Sequence, residues 1–182
     1  MLAPFFGKIY TTVLSFSILL FSNYIGNDPI FTNIYTESLE NGIFISGYLE
    51  SAYDNDFDDI FSSGIQIEVT FDLSVSHRNN ILLKQSITNS VVWDSEFQYW
   101  IIQKEENPHS VAVNDILSLR HAMSSFETFL EINTTYYNVL DINISARLPV
   151  IYVAPVQKDI DLMILWKLKE PKARLRLNIL EI

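Results

Sequence analysis

Ile65-Gln66-Ile67-Glu68-Val69-Thr70-Phe71-Asp72-Leu73-Ser74-Val75-Ser76 alternates between apolar and polar side chains without a break. Successive side chains of a β-strand point to opposite faces. The stretch therefore predicts a strand with Ile65, Ile67, Val69, Phe71, Leu73 and Val75 on a core and its polar residues in water. A sheet wet on one face is the usual antiparallel situation. The fold expected around it is α+β and mainly β: antiparallel strands in a sandwich-like or strongly curved sheet, with two short helices packed on it.

Downstream, Arg78-Asn79-Asn80 turns the chain, and Ile81–Trp93 with Phe97–Lys104 read as a hairpin around Asp94-Ser95-Glu96. A brief strand at Ser110–Val113 leads to Asn114, a natural helix N-cap. The spacing of Ile116, Leu117, Met123, Phe126 and Leu130 predicts a helix from Asp115 to about Phe129. Leu140, Ile142, Ile144, Ala146 and Leu148 line one face of a later strand closed by Pro149. Ile160–Lys169 and Ala173–Glu181, separated by Pro171, read as a terminal hairpin. Upstream, Ile43–Leu49 alternates as a strand. The three- and four-residue steps of Leu49, Ala52, Tyr53, Phe57, Ile60 and Phe61 then predict a short helix within Glu50–Ser63, ended by Gly64.

The first 22 residues have a different character. Lys8 is their only charged side chain, and Ile9–Phe21 is an uncharged run of 13 residues. That is a signal-peptide length, short of the roughly 20 residues a spanning helix needs. Leu20 is a poor match to the small residue expected two places before a cleavage at Ser22. Residues 1–22 are therefore read as a signal peptide or an N-terminal membrane anchor, 23–42 as a spacer with one short strand at Ile30–Tyr35, and 43–182 as a single β-rich domain. The expected location is extracytoplasmic, in the periplasm or cell envelope.

Composition narrows the function classes. The net charge of −10 repels nucleic-acid phosphates, so no nucleic-acid partner is expected. With no cysteine there is no disulfide, thiolate metal site or cysteine nucleophile. Five of the twelve basic residues, Lys167, Lys169, Lys172, Arg174 and Arg176, crowd the C-terminal region. They read as the exposed face of terminal strands or, more sharply, as a patch for an acidic partner or lipid headgroups.

Motifs that carry chemistry are thin. Asp54-Asn55-Asp56-Phe57-Asp58-Asp59 opens like a calcium loop, but the sixth position is Asp59 rather than Gly and the twelfth is Ile65 rather than Glu. An acidic helix face is the better reading. His77, His109 and His121 lack the short spacings of metal ligands. No serine sits in a G-x-S-x-G or S-x-x-K motif. Asp72, Asp94 and Glu96 can pair across strands only if the sheet brings them together. Trp93, Phe97, Tyr99 and Trp100 suit core packing or an apolar groove. No catalytic, cofactor-binding or metal residue is assigned.

Gly47-Tyr48-Leu49, the helix closing on Ser63-Gly64-Ile65, Val113–Phe126 with Leu119 and Ala122, and Arg147-Leu148-Pro149 at a strand end give an order that resembles a bacterial domain-of-unknown-function family of short exported proteins. The resemblance covers about residues 43–170 and implies export and a single β-rich domain, with no active site to carry over. The expected function is a non-enzymatic interaction or scaffold domain of the cell envelope, meeting an unknown envelope protein on an acidic, strand-edged surface. The alternative is an extracytoplasmic carrier of a lipid or other apolar ligand.

Overall fold

A computed structural model describes residues 26–55, 57–153 and 157–179. The leader expected over residues 1–22 lies outside the described residues. Eleven strands are β1 (Ile30–Leu39), β2 (Gly42–Glu50), β3 (Ile67–His77), β4 (Asn80–Asp94), β5 (Tyr99–Lys104), β6 (Asn107–Val113), β7 (Ser125–Glu131), β8 (Val139–Arg147), β9 (Val150–Val153), β10 (Lys158–Asp161) and β11 (Lys172–Asn178). Helix α1 (Phe57–Phe61) precedes β3 and helix α2 (Ile116–Ser124) precedes β7. Among the described residues the protein is mainly β with two short helices, as the alternation predicted.

Every ladder among the described residues is antiparallel. One sheet has the order β1-β2-β7, a second β11-β8-β3-β4-β5-β6, and β9 and β10 form a small hairpin. The long alternating strand sits inside the six-stranded sheet, where Ile67, Val69, Phe71, Leu73 and Val75 are buried on one face. Ile43, Ile45 and Leu49 of β2 and Phe126 and Leu130 of β7 belong to the same core. Phe31, Phe71 and Phe126 meet ring to ring, which joins strands of both sheets: 6.4 Å for Phe31–Phe71, 6.2 Å for Phe31–Phe126 and 4.9 Å for Phe71–Phe126. Two sheets sharing one core are a sandwich.

Turn chemistry explains the main hairpin. Arg78 and Asn79 both take positive φ, 50° and 68°, between His77 and Asn80, which pair. A two-residue turn with both φ values positive matches the right-handed twist of the flanking strands. In β1 the register shifts between Thr32 and Tyr35, so Asn33, at φ 51°, and Ile34 bulge opposite Gly47.

Four expectations need correction. The stretch read as a spacer holds β1, ten residues long and paired along β2, where only Ile30–Tyr35 was expected as a strand. The first helix shrinks to Phe57–Phe61, because Ser51 at φ 55° starts a turn; Ala52 and Tyr53 are buried from a non-helical segment. The second helix stops at Ser124 and the chain passes directly into β7. There Phe126, Thr128 and Leu130 are buried while Glu127, Phe129 and Glu131 are exposed, a period of two. Leu117 is exposed, and Leu119 takes the buried place. The terminal hairpin is absent among the described residues: Leu162–Trp166 is a 3-10 helix and β11 pairs with β8. Leu162 and Leu165 are buried three residues apart, with Trp166 buried beside them, a spacing that a 3-10 turn satisfies and a strand does not.

One end of the sandwich is plugged by aromatics. Tyr53, Phe57, Phe61 and Trp166 are fully buried or nearly so, with Tyr53 4.8 Å from Phe57 and 6.3 Å from Trp166. The indole N–H groups find carbonyls: Trp166 donates to Ala52 O at 2.9 Å and Trp100 to Phe61 O at 3.2 Å. Buried indoles need such partners. Nearby, Asn27 N donates to Leu165 O at 2.9 Å and Asn27 Oδ1 accepts from Asn55 N at 3.1 Å, fixing the start of the described chain against this plug. Among the described residues no helix is long and apolar enough to cross a membrane.

Candidate functional site

The outer face of the six-stranded sheet carries the polar half of the alternating pattern. Four of its strands, β11, β8, β3 and β4, place these residues in rungs set by the register. Lys172, Ser145, Asp72 and Ser86 form one rung; Arg174, Asn143, Ser74 and Lys84 form the next. Arg176, Asp141 and Ser76 follow. Most of these side chains are short, so the face is concave, with a cavity of about 560 Å3 over the first two rungs.

The carboxylates around the concavity are engaged. Asp72 pairs with Arg147 at 2.9 Å and accepts from Ser86 Oγ at 2.5 Å. Asp141, the least exposed of them, lies 3.3 Å from Arg176 and 3.5 Å from Arg174. Glu170 pairs with Lys172 at 2.8 Å, and that hydrogen bond holds its carboxyl below the usual carboxylate range. Lys84 has no carboxylate within ion-pair distance among the described residues. The cavity lining thus sets Lys84, Lys172 and Arg174 against Asp72 alone. The sum is a positive concavity on a protein of net charge −10.

A second polar cluster is structural. Asn89 Nδ2 donates to Ala122 O at 3.3 Å and Ser125 O at 2.9 Å, and Lys104 Nζ donates to Ser125 O and Oγ. These donors satisfy the carbonyls that the end of α2 leaves free. Partial burial lowers the Lys104 ammonium below the usual lysine range. A neighbouring relay joins Gln85, Thr128 and Glu106, with Thr128 Oγ1 donating to Glu106 at 2.6 Å.

The residues singled out in the sequence scatter over the molecule. His77 Nδ1 lies 2.8 Å from Val139 O, His121 stacks on Tyr48 at 5.3 Å, and His109 is exposed on β6. Asp58 pairs with Arg120 at 2.7 Å, and Asp58 and Asp59 occupy the first turn of α1. Asp94 caps the β4–β5 turn, accepting from Glu96 N and Phe97 N, so it is not brought to Asp72. No group of three histidine or acidic side chains gathers as a metal site among the described residues. Trp93 packs on Trp100 at 4.7 Å, while exposed Phe97 stacks on half-buried Tyr99 at 5.8 Å. Of the C-terminal basic residues, Lys172, Arg174 and Arg176 share the concave face, whereas Lys167 pairs with Asp28 at the plugged end.

Sequence reasoning missed Lys84, Ser86, Asn143 and Ser145 as neighbours of that basic stretch. Their only signal was a polar outer position on each strand. Juxtaposition required the strand order, above all β11 beside β8. Compared with family models, with curated proteins and with solved structures, the chain gives no match in any of the three.

Proposed function

We propose that this protein is an exported, non-enzymatic interaction domain of the cell envelope, tethered by or freed from residues 1–22, with the concave outer face of the six-stranded sheet as its recognition surface. One observation carries the reading: four adjacent strands present a positive, hydroxyl- and amide-lined concavity on an otherwise acidic body. Surfaces of complementary charge steer encounter and select partners. The expected test is in-cell photo-crosslinking from Ser74, in the concavity, and from Asp59, on α1. A discrete adduct from Ser74 alone, competed by added purified domain, is expected. The same abundant bystanders from both positions would remove the proposal.

A second reading has its own observation. A cleft of about 740 Å3 opens where β1 faces β11, lined in part by Leu39, Tyr137, Leu177 and Ile179. This is the place for an apolar ligand in the carrier reading. Organic extraction of the purified protein followed by mass spectrometry decides it: a stoichiometric lipid supports the carrier, and an empty extract counts against it.

A further inference from the structure

The two rungs under the cavity differ in what they leave unsatisfied. In the first, Lys172 is held by Glu170, and Asp72 by Arg147 and Ser86. The second rung, Arg174-Asn143-Ser74-Lys84, has no carboxylate of its own. Lys84 stands at one end with no ion-pair partner among the described residues. Arg174 stands at the other with a loose 3.5 Å contact to Asp141, an acid that Arg176 also holds at 3.3 Å. Arg174 is therefore able to turn toward the rung without stranding Asp141. Between the two cations lie a hydroxyl and an amide, both able to donate.

Strands sit about 4.8 Å apart, so the backbones bearing Lys84 and Arg174, three ladder steps apart, are separated by about 14 Å. Both side chains are long enough to reach inward from opposite sides. A planar carboxylate directs its two oxygens one way and satisfies one of these cations well. A tetrahedral oxyanion presents oxygens on every side and meets both, with the guanidinium fork matching one pair of oxygens.

We propose that the Arg174-Asn143-Ser74-Lys84 rung is a binding site for a phosphate-type oxyanion, Lys84 and Arg174 closing on it from opposite edges and Ser74 and Asn143 donating from the floor. The proposal rests on the concave face being the recognition surface and gives that surface its chemistry.

Titration with inorganic phosphate, followed by backbone amide NMR shifts, tests it. Saturable shifts at Ser74 and Asn143 are expected. Lys84→Gln and Arg174→Gln should each weaken binding about tenfold or more, the loss typical of one charge-assisted hydrogen bond. Lys158→Gln, on exposed β10, should leave it unchanged. Acetate at the same concentration should shift neither amide. Phosphatidylglycerol vesicles then locate the source. Co-sedimentation competed by free phosphate assigns a lipid headgroup, and phosphate binding without co-sedimentation assigns a free phosphate compound. The proposal is overturned if no saturable shift occurs, if the Lys84→Gln, Arg174→Gln double variant keeps the shifts, or if acetate binds as well as phosphate. A discrete Ser74 crosslink with no saturable phosphate shift would overturn the oxyanion and leave the docking surface standing. Phosphate binding with no partner adduct would do the reverse.

Discussion

At the scale of single residues, two side-chain environments make opposite demands. A Cβ added at Gly47 would lie 2.8 Å from the ring of Phe126, which fills the space a larger residue would take. Phe126 in turn packs on Phe31 and Phe71, so it has little freedom to yield. Gly47→Ala is expected to destabilise the protein by about 1–3 kcal/mol, the usual cost of overpacking, measured by chemical denaturation. An unchanged midpoint would mean that the ring moves freely. Tyr53 is the converse case. Its hydroxyl is buried with no hydrogen-bond partner among the described residues, and burial pushes its pKa up, well above the ordinary tyrosine range. Tyr53→Phe should therefore be neutral or stabilising by up to about 2 kcal/mol. The sign on the alkaline side follows from the same burial. The folded pKa lies above the unfolded one, so the native state keeps a proton that the unfolded chain gives up above pH ~10. Stability is intact below that pH and falls by about 1.4 kcal/mol per pH unit above it. Removing the hydroxyl should flatten this limb of the pH–stability curve; a limb of the same slope in Tyr53→Phe would contradict the assignment.

At the scale of elements, the passage from α2 into β7 shows where sequence reading succeeds and where it fails. Phe126 and Leu130 are four residues apart, and a step of four returns to the same face of both a helix and a strand. Only Thr128, a buried polar residue between them, separates the two readings, and it looks polar until Gln85 and Glu106 are seen beside it. The helix ends there because its carbonyls are taken by Asn89 and Lys104, side chains of two other strands. Such a stop signal is tertiary and leaves no local trace. Asn89→Ala is expected to cost about 1–3 kcal/mol by removing a buried side chain's two hydrogen bonds, to Ala122 O and Ser125 O, with circular dichroism and thermal melting as the measurement. A loss below about 0.5 kcal/mol would mean that the solvent serves these carbonyls equally well. By contrast β3 was legible because a strict period of two admits no helical alternative, and Arg78-Asn79 marked its turn into β4. The outer-face concavity was legible only in its pieces. The basic stretch near the C-terminus was visible, but its neighbours lie on strands 30 to 100 residues away in sequence.

At the scale of the whole molecule, ion pairs and net charge pull in different directions. Most of the ion-paired side chains are substantially exposed, and exposed pairs contribute little. The net charge of −10 acts throughout as mutual repulsion. Raising sodium chloride to ~1 M shrinks the screening length to about 3 Å and weakens both. Because the repulsion is spread over the surface and the pairs are few, salt should raise the melting temperature slightly. A clear fall would show that the pairs carry more of the stability than their exposure suggests.

The pairing of β2 with β7 has a consequence in time. Gly42 to Tyr48 must find Glu131 to Ser125, partners roughly 80 residues further along the chain. A contact of that reach forms late, because closing so long a loop costs entropy before any packing is gained. The β1–β2 hairpin emerges early in synthesis with Ile43, Ile45 and Leu49 uncovered, and it waits for β7 to supply its second edge. The hairpin is then an open, sticky template during any passage in an unfolded state, the species most in need of a chaperone. Stopped-flow kinetics carry the signature: Phe126→Leu should speed unfolding and leave the refolding limb nearly unmoved. The small sheet is the latch of this molecule, the last part to close and the first to give way.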